Sequence, residues 1–318
     1  MNAQGGTSGG SRSGLSSPDK VLWPDAGITK GDLADYYAAA ADRLLPHLRR
    51  RPLTLRQHPR GVAEQGFFIK NLPRHAPAHI SRFEAWTESS NRTVAYALAD
   101  DAEDLAWFAQ QNAVELHAWT STADRPDRPD QLWFDLDPST PQQSVAEAAR
   151  WLRAVLGELG LQALVKTSGK RGLHLLVPVE RRYDFSELRG FGLAIARACA
   201  AEHPEALTVE MRKAERDGRL LLDWSRNGAA QTVVAAWSPR TDPRATVSMP
   251  LSWDELDDLD PGRFTLRSVP QLLQRADPWG ADPSGAAAVA PQRIETARAA
   301  LEAVGFPSED RSPRARTS

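Results

Sequence analysis

The chain is nearly without cysteine: Cys199 is the only one in 318 residues. That excludes an intrachain disulfide and a cysteine-based metal site, and it fits a reducing, cytoplasmic setting. Long apolar runs are missing as well. None approaches the roughly 18 to 20 residues of a membrane span, so no membrane association is expected. The opening stretch "MNAQGGTSGGSRSGLSSPDK" has no apolar core of the kind a secretory signal needs; it reads as a flexible Gly/Ser tail. An excess of charge of one sign is also lacking. The formal net charge is −2, which rules out a globally basic nucleic-acid binder. What remains, 41% hydrophobic and 25% charged residues, is ordinary for a globular protein. The length allows a large core and two lobes.

Basic residues are nevertheless clustered: "LRRRP" at 48–52, "RKAER" at 212–216, and Arg240 with Arg244. Local cationic patches on a near-neutral chain suit a groove that grips phosphate. They suit a salt-bridged surface equally well, and charge alone does not choose between the two.

Periodicity gives the organisation. Residues 1–17 are expected to be a disordered tail. A helix follows, with Leu33, Tyr36, Tyr37, Ala40 and Leu44 at helical spacing, Thr29 as N-cap and Asp32 placed for a capping box. "PLTLRQHP", "QGFFIKN", "RTVAYALAD" and "VELHAW" read as extended and "DAEDLAWFAQQN" as a short helix, so 18–130 forms an N-terminal α/β module. From Leu132 the order is β-α-β-β-α-β, the pattern of an RRM-like split sheet, over 131–280. In it the helix after the first strand starts with Pro141 and ends at Gly160, and "RLLLDWSRN" with "QTVVAAWS" reads as a hairpin. A last helix near 291–304 lies within a C-terminal segment, 281–318, that ends in a polar tail.

Three motifs carry chemistry. In "LWFDLDPST", 132–140, Asp135 and Asp137 end an apolar strand. Residues i and i+2 point to one face, and two carboxylates so close raise each other's pKa or require a cation between them. Metal binding is the reading preferred over a turn with an Asp helix cap. By itself a D-x-D also occurs in phosphatases of the haloacid-dehalogenase type, whose pattern Ser139 narrowly misses. In "TSGKRGLH", Gly169 and Gly172 permit close backbone approach. Lys170 and Arg171 bring charge there, and His174 lies on the strand face opposite Leu173, Leu175 and Val177. Backbone N–H groups with a cation and an imidazole suit a polyphosphate. Asp223 ends a further apolar strand. Three acids on adjacent strands can hold two Mg²⁺ or Mn²⁺ ions for phosphoryl transfer. The order D-x-D, S-G-x-x-G-x-H, D is much more specific than any of its parts.

With that order the chain resembles the polymerase domain of bacterial ligase D, a member of the archaeo-eukaryotic primase superfamily that acts in non-homologous end joining. The resemblance runs through "DKVLWPDAGITKGDLADYYAAAA", "FFIKNLP", "VELHAWTS", "QLWFDLDPS", "KTSGKRGLHLLVPV", "LLLDWSRN" and "WDELDDLDPGRFTLRSVP". It implies an α/β (α+β) primase fold in which an RRM-like catalytic sheet packs with the N-terminal module. By position, Asp135, Asp137 and Asp223 would be the metal-binding catalytic acids. His117, Ser168, Arg171, His174, Arg216 and Arg240 would contact the incoming NTP or dNTP. Lys20 and Lys30 would bind a recessed DNA 5′-phosphate, which suits Lys30 at a helix start. Phe67 and Phe68 would stack on a template-side base, with plain core packing as the alternative.

The implied activity is gap filling and 3′-end extension at double-strand breaks by a two-metal mechanism. With it come a preference for ribonucleotides and Mn²⁺, and Ku and a DNA ligase as partners. Arg226 stands where many relatives have Gln, "FFIKN" where they have "FFQKH", and Arg171 where Lys is frequent. No Lys-x-Asp-Gly ligase motif occurs, so a stand-alone paralogue or an excised domain is expected. A de novo primase, countered by Lys20 and Lys30, and a non-catalytic end-bridging module, countered by the three acids, are the competing readings.

Overall fold

Thr29 opens the first long helix. Its Oγ1 accepts from the Asp32 N–H at 3.2 Å, and the Asp32 carboxylate accepts from the Thr29 N–H at 2.8 Å, satisfying two donors at a helix start that has no turn before it. The structure, a computed structural model, describes residues 12, 14–87, 91–141, 143–280 and 288–308. The chain falls into two compact units. One comprises Met1–Ala118, Val234–Met249 and Gly262–Asp277; the other comprises Trp119–Val233, Pro250–Pro261 and Pro278–Ser318. The border near 118 lies short of the expected 130. The C-terminal part does not stay in one module, because 234–249 and 262–277 return to the first.

The first unit contains β1 (Val21–Trp23), β2 (Ile28–Thr29), α1 (Lys30–Leu44), β3 (Leu53–Gln57), β4 (Phe67–Ile69), β5 (Arg82–Thr87), β6 (Arg92–Ala97), α2 (Ala102–Gln110) and all but the last residue of β7 (Ala113–Trp119). Leu33, Tyr36, Tyr37, Ala40 and Leu44 are all buried, as the spacing of α1 requires. In the sheet β7, β3, β6 and β5 are neighbours in that order, and β4 pairs with β3. Strand β5 went unread in the sequence: its residues alternate between exposed and half-buried, so it carries no apolar stripe.

The second unit contains β8 (Gln131–Asp137), α3 (Val145–Glu158), β9 (Leu164–Thr167), β10 (Leu173–Pro178), α4 (Phe185–Glu202), β11 (Leu207–Thr208) and β12 (Leu220–Asp223). It also holds most of β13 (Thr232–Val234), then β14 (Pro250–Leu251) and, beyond the first unit's short α5 (Val269–Leu272), α6 (Pro291–Ala303). Its sheet order is β11-β12-β8-β10-β9-β14. Numbering β8, β9, β10 and β12 as strands one to four, the middle reads 4-1-3-2, the split β-α-β pattern expected. Phe134 on β8 and Phe191 on α4 are fully buried in its core.

Two local expectations are corrected. Helix α3 starts at Val145, not at Pro141, because Ser144 caps it by accepting from the Glu147 N–H at 3.2 Å. The expected hairpin after Asp223 does not form: β12 pairs with β8 and β11, and β13 is not its partner. Asn227 explains the break. Its amide is engaged with β8, accepting from the Trp133 N–H and donating to the Trp133 carbonyl, both at 2.7 Å, so the chain leaving β12 is held against β8. Of the tail expected over 1–17, residues 1–11 and 13 lie outside the described set. Arg12 pairs with Asp35 at 2.5 Å, and Ser16 is bonded to Lys30 and Gln110. Of the C-terminal segment, 281–287 and 309–318 lie outside the described residues.

Candidate functional site

Strand register in the second unit assembles a polar row. Asp223 on β12 faces Asp135 on β8, Asp135 faces His174 on β10, and His174 faces Lys166 on β9. Direct cross-strand partners share a face with Cβ atoms about 4.5–5.5 Å apart, and Asp137 joins the same face two residues along β8. Each acid is turned to its own base. Asp135 Oδ1 lies 3.3 Å from His174 Nε2, Asp137 Oδ2 3.0 Å from Arg216 Nη1, and Asp223 Oδ2 3.5 Å from Arg226 Nε. Asp223 Oδ1 also accepts from the Ser225 N–H at 2.7 Å. Burial pushes the Asp135 carboxyl pKa upward, but His174, Arg226 and Lys166 outweigh it and hold the group below its usual value.

The row also fixes a tautomer. Lys166, fully buried, lies with Nζ 2.8 Å from His174 Nδ1. An ammonium only donates, so Nδ1 accepts and the ring proton sits on Nε2, toward Asp135. Trp133 packs edge-on to His174 with Lys166 Nζ 5.5 Å from its ring. As a donor set the acids are all oxygen, on one face of adjacent strands, which suits a hard divalent cation. The side chains are drawn apart by their bases: among the described residues no three His, Cys, Asp or Glu side chains converge as ligands. The register fits an ion, and the observed rotamers serve the bases.

Beside the row the chain turns from β9 into β10. Ser168 Oγ accepts from the N–H groups of Lys170 and Gly172, each at 3.2 Å, and the Ser168 N–H donates to the Gly172 carbonyl at 2.9 Å. Gly169 has φ +70°, a region glycine enters without strain. At Gly172 a Cβ would sit 2.3 Å from the Leu136 carbonyl oxygen, on the strand between the two acids. Ser168 is buried, whereas Lys170 and Arg171 are exposed.

The first unit carries a second cluster, built on Glu115. This residue is fully buried on β7. Its Oε2 lies 2.8 Å from His117 Nε2; its Oε1 lies 3.3 Å from Arg240 Nε and 3.5 Å from Arg56 Nη1, and accepts from the Thr241 N–H at 2.9 Å and the Thr241 hydroxyl at 2.8 Å. Burial alone would raise its pKa. The hydrogen bond from His117, the Arg240 charge and the Thr241 N–H reverse that and keep it ionised far below the ordinary carboxylate range. Phe68 meets the His117 ring edge-on at 5.5 Å, with Arg56 over its own face at 5.4 Å. Phe67 and Phe68 are 47% and 54% exposed, which removes the core-packing alternative for both.

Lys20 and Lys30, also in the first unit, come together at the start of α1. The Lys30 N–H donates to the Lys20 carbonyl at 2.8 Å, and Lys30 Nζ donates to the Ser16 carbonyl at 2.8 Å and to Gln110 Oε1 at 3.0 Å. Lys20 Nζ bonds to the Pro59 carbonyl. Burial, and then the neighbouring Lys20 charge, lower the Lys30 pKa, a site for an anion to offset.

The expected residues thus fall into three groups. Asp135, Asp137, Asp223, Ser168, His174 and Arg216 surround one sheet face of the second unit, with Arg171 exposed beside it. His117, Arg240 and Phe68 converge on or beside Glu115, with Phe67 next to Phe68 on β4. Lys20 and Lys30 form the third. Sequence reading missed Lys166 and Glu115. The signal was present: each is a charge inside an otherwise apolar strand, "ALVKT" and "AVELHAW".

Comparison with known proteins places the chain in a family and beside a solved fold. The family described as "LigD, primase-polymerase domain" matches residues 29–279. The chain is 36% identical over 270 residues to the multifunctional non-homologous end joining protein LigD of Mycolicibacterium smegmatis, covering 84% of this chain and 35% of that one. Its counterpart in Pseudomonas aeruginosa is 34% identical, covering 83% and 32%. The chain therefore spans about a third of the length of these relatives. Among solved structures it is similar to the polymerase domain from Mycobacterium tuberculosis ligase D in complex with DNA. There the TM-score is 0.75 and the identity 33%, covering 81% of this chain and 93% of that one.

Proposed function

The chain belongs to the LigD primase-polymerase domain family, and from that membership we propose that it is a template-directed nucleotidyltransferase. It fills gaps and extends 3′ ends at DNA double-strand breaks repaired by end joining. One observation carries the reading: Asp135, Asp137 and Asp223 share one sheet face through register, with His174 and Arg216 against them. A phosphatase would need a nucleophilic aspartate followed by a Lys/Asp-Asp pattern that the sequence does not show, and a pure binding module gains nothing from acids clustered beside DNA.

In this reading Asp135, Asp137 and Asp223 hold two divalent ions, Mn²⁺ or Mg²⁺, which when bound activate the attacking 3′-hydroxyl and neutralise charge at phosphorus. The chain's own groups do the rest. His174 carries its proton on Nε2, its tautomer set by Lys166; that N–H faces Asp135 here and would serve a phosphate oxygen once the Asp135 carboxylate is engaged with metal. Arg216 sits behind Asp137, anchored through its other nitrogens to the Glu210 and Met211 carbonyls at 3.2 Å, and adds fixed positive charge. Ser168 shapes the turn whose Arg171 reaches the triphosphate. His117 and Arg240 contact the nucleotide, and Phe67 and Phe68, exposed as stacking residues must be, meet a template base. Lys20 and Lys30 receive the 5′-phosphate of the downstream strand. Ribonucleotides are the preferred substrate, and Ku and a DNA ligase are the functional partners in a cytoplasmic, nucleoid-associated setting. Among the described residues no helix is long and apolar enough to cross a membrane.

The test is nucleotide addition and binding on a gapped duplex carrying either a 5′-phosphate or a 5′-hydroxyl, with ribo- and deoxyribonucleotides compared. A charge-assisted contact to a phosphate is worth about 1.5–3 kcal/mol, so the phosphorylated duplex should bind at least about tenfold tighter. The Lys20→Ala, Lys30→Ala double variant should erase that difference and leave the hydroxyl form unchanged. Equal affinities in the wild type would move a de novo primase ahead of a repair polymerase.

A further inference from the structure

The Glu115 cluster of the first unit converges on side chains that the proposed function gives to the nucleotide, and its geometry constrains how one of them acts. A carboxylate can only accept hydrogen bonds, so at 2.8 Å from Glu115 Oε2 the Nε2 of His117 carries the proton. Glu115 Oε1 is meanwhile committed to Thr241, Arg240 and Arg56. Rotation of the carboxylate would give up all of these contacts at once, so the His117 ring is held by an anchor that is itself over-determined.

The charged groups facing His117 are Glu115 on its own strand, Arg56 on β3, and Arg240 from the 234–249 segment. Burial, with Arg240 and Arg56, lowers the affinity of the ring for a second proton, against the pull of Glu115. With Nε2 committed, the Nδ1 lone pair is the part of the ring left to serve a ligand.

We propose that Glu115 is a positioning residue that fixes His117 as the Nε2–H tautomer, so that His117 meets the nucleotide through Nδ1 as a hydrogen-bond acceptor. This rests on the nucleotide-binding role given to His117 above and narrows it. An acceptor does not bind a phosphate oxygen, which is itself an acceptor; it binds a donor on the nucleotide, a sugar hydroxyl or a base N–H. The positive charge that meets phosphate then comes from Arg240 and Arg56, which Glu115 holds in place. The same carboxylate thus sets both the polarity of His117 and the direction of the two guanidinium groups.

Two measurements test it. In ¹⁵N-edited spectra of the histidine rings, with His117 assigned by comparison with His117→Gln, the wild-type protein should show a neutral ring protonated at Nε2 at neutral pH. An imidazolium or an Nδ1–H ring would overturn the proposal, whatever the protein catalyses. In kinetics, Glu115→Gln should raise KM for nucleotide at least about tenfold with kcat within about threefold and affinity for 5′-phosphorylated DNA unchanged, and Glu115→Asp should recover part of the loss. If the wild type adds nucleotides and Glu115→Gln leaves KM where it was, the role of Glu115 falls and the proposed function stands. If the wild type adds none, the function falls, and the ring spectrum still decides the tautomer.

Discussion

Glu115 gives the residue scale its sharpest energetic expectation. Its folded pKa is depressed, so it contributes stability that is fully present above the unfolded value of about 4.3 and is lost as pH falls below it toward the folded value. Glu115→Gln leaves Arg240 and Arg56 facing a neutral amide. Breaking a buried pair from one side costs about 3–5 kcal/mol, which should appear as a lower Tm at neutral pH. Below about pH 4.3 the gap to wild type should narrow by about 1.4 kcal/mol per pH unit. Thermal melts of both proteins across pH check this, and a gap that stays constant into acid would show that the carboxylate charge is not what stabilises the cluster. The acids at 135, 137 and 223 were legible because they end apolar strands, and His174 because it begins one, inside a spaced motif. Glu115 and Lys166 left only an ambiguous signal, a charge within an apolar strand. A lone charge in a strand reads as solvent-facing, and only the pairing of β7 with β3, and of β9 with β10, turns each one inward toward partners distant in sequence.

At the scale of the element, the β9–β10 turn packs against the strand that carries Asp135 and Asp137. Gly172 packs so closely on the Leu136 carbonyl that an added methyl group would meet it at 2.3 Å, and the atom it meets is backbone, which cannot swing aside as a side chain would. Gly172→Ala should therefore destabilise the protein by about 1–3 kcal/mol and displace β8 between Asp135 and Asp137. Nucleotide addition should fall far more than DNA binding, which steady-state kinetics and a DNA titration would separate. If both are retained, the turn does not position the acids. Helix α1, with its capping box and apolar stripe, was legible in the sequence because its determinants are local. The start of α3 was not: Pro141 and Ser144 both satisfy the rules for a helix start, and the hydrogen bond to the Glu147 N–H decides for Ser144. Likewise the pattern of "RLLLDWSRN" and "QTVVAAWS" suits a hairpin locally, and only the bonding of Asn227 to β8 decides against it.

On the scale of the whole molecule, the 4-1-3-2 sheet followed from element order, whereas the course of the chain through two units did not. Residues 234–249 and 262–277 belong with the first unit, and nothing in their local pattern says so; their placement is decided by long-range packing, such as the Tyr36 hydroxyl donating to the Trp237 carbonyl at 2.7 Å. The net charge of −2 likewise conceals that the bases are concentrated around the acids and around Glu115. The central claim is that the acid face transfers nucleotides, and the most direct measurement is primer extension on a gapped duplex by the wild type and by Asp137→Ala, with DNA affinity measured in parallel. The wild type should add nucleotides only when divalent metal is present. Asp137→Ala should fall below about a tenth of that rate and bind DNA within a few-fold of wild type. Extension by Asp137→Ala at more than about a tenth of the wild-type rate, or a wild type equally active without metal, would contradict the account.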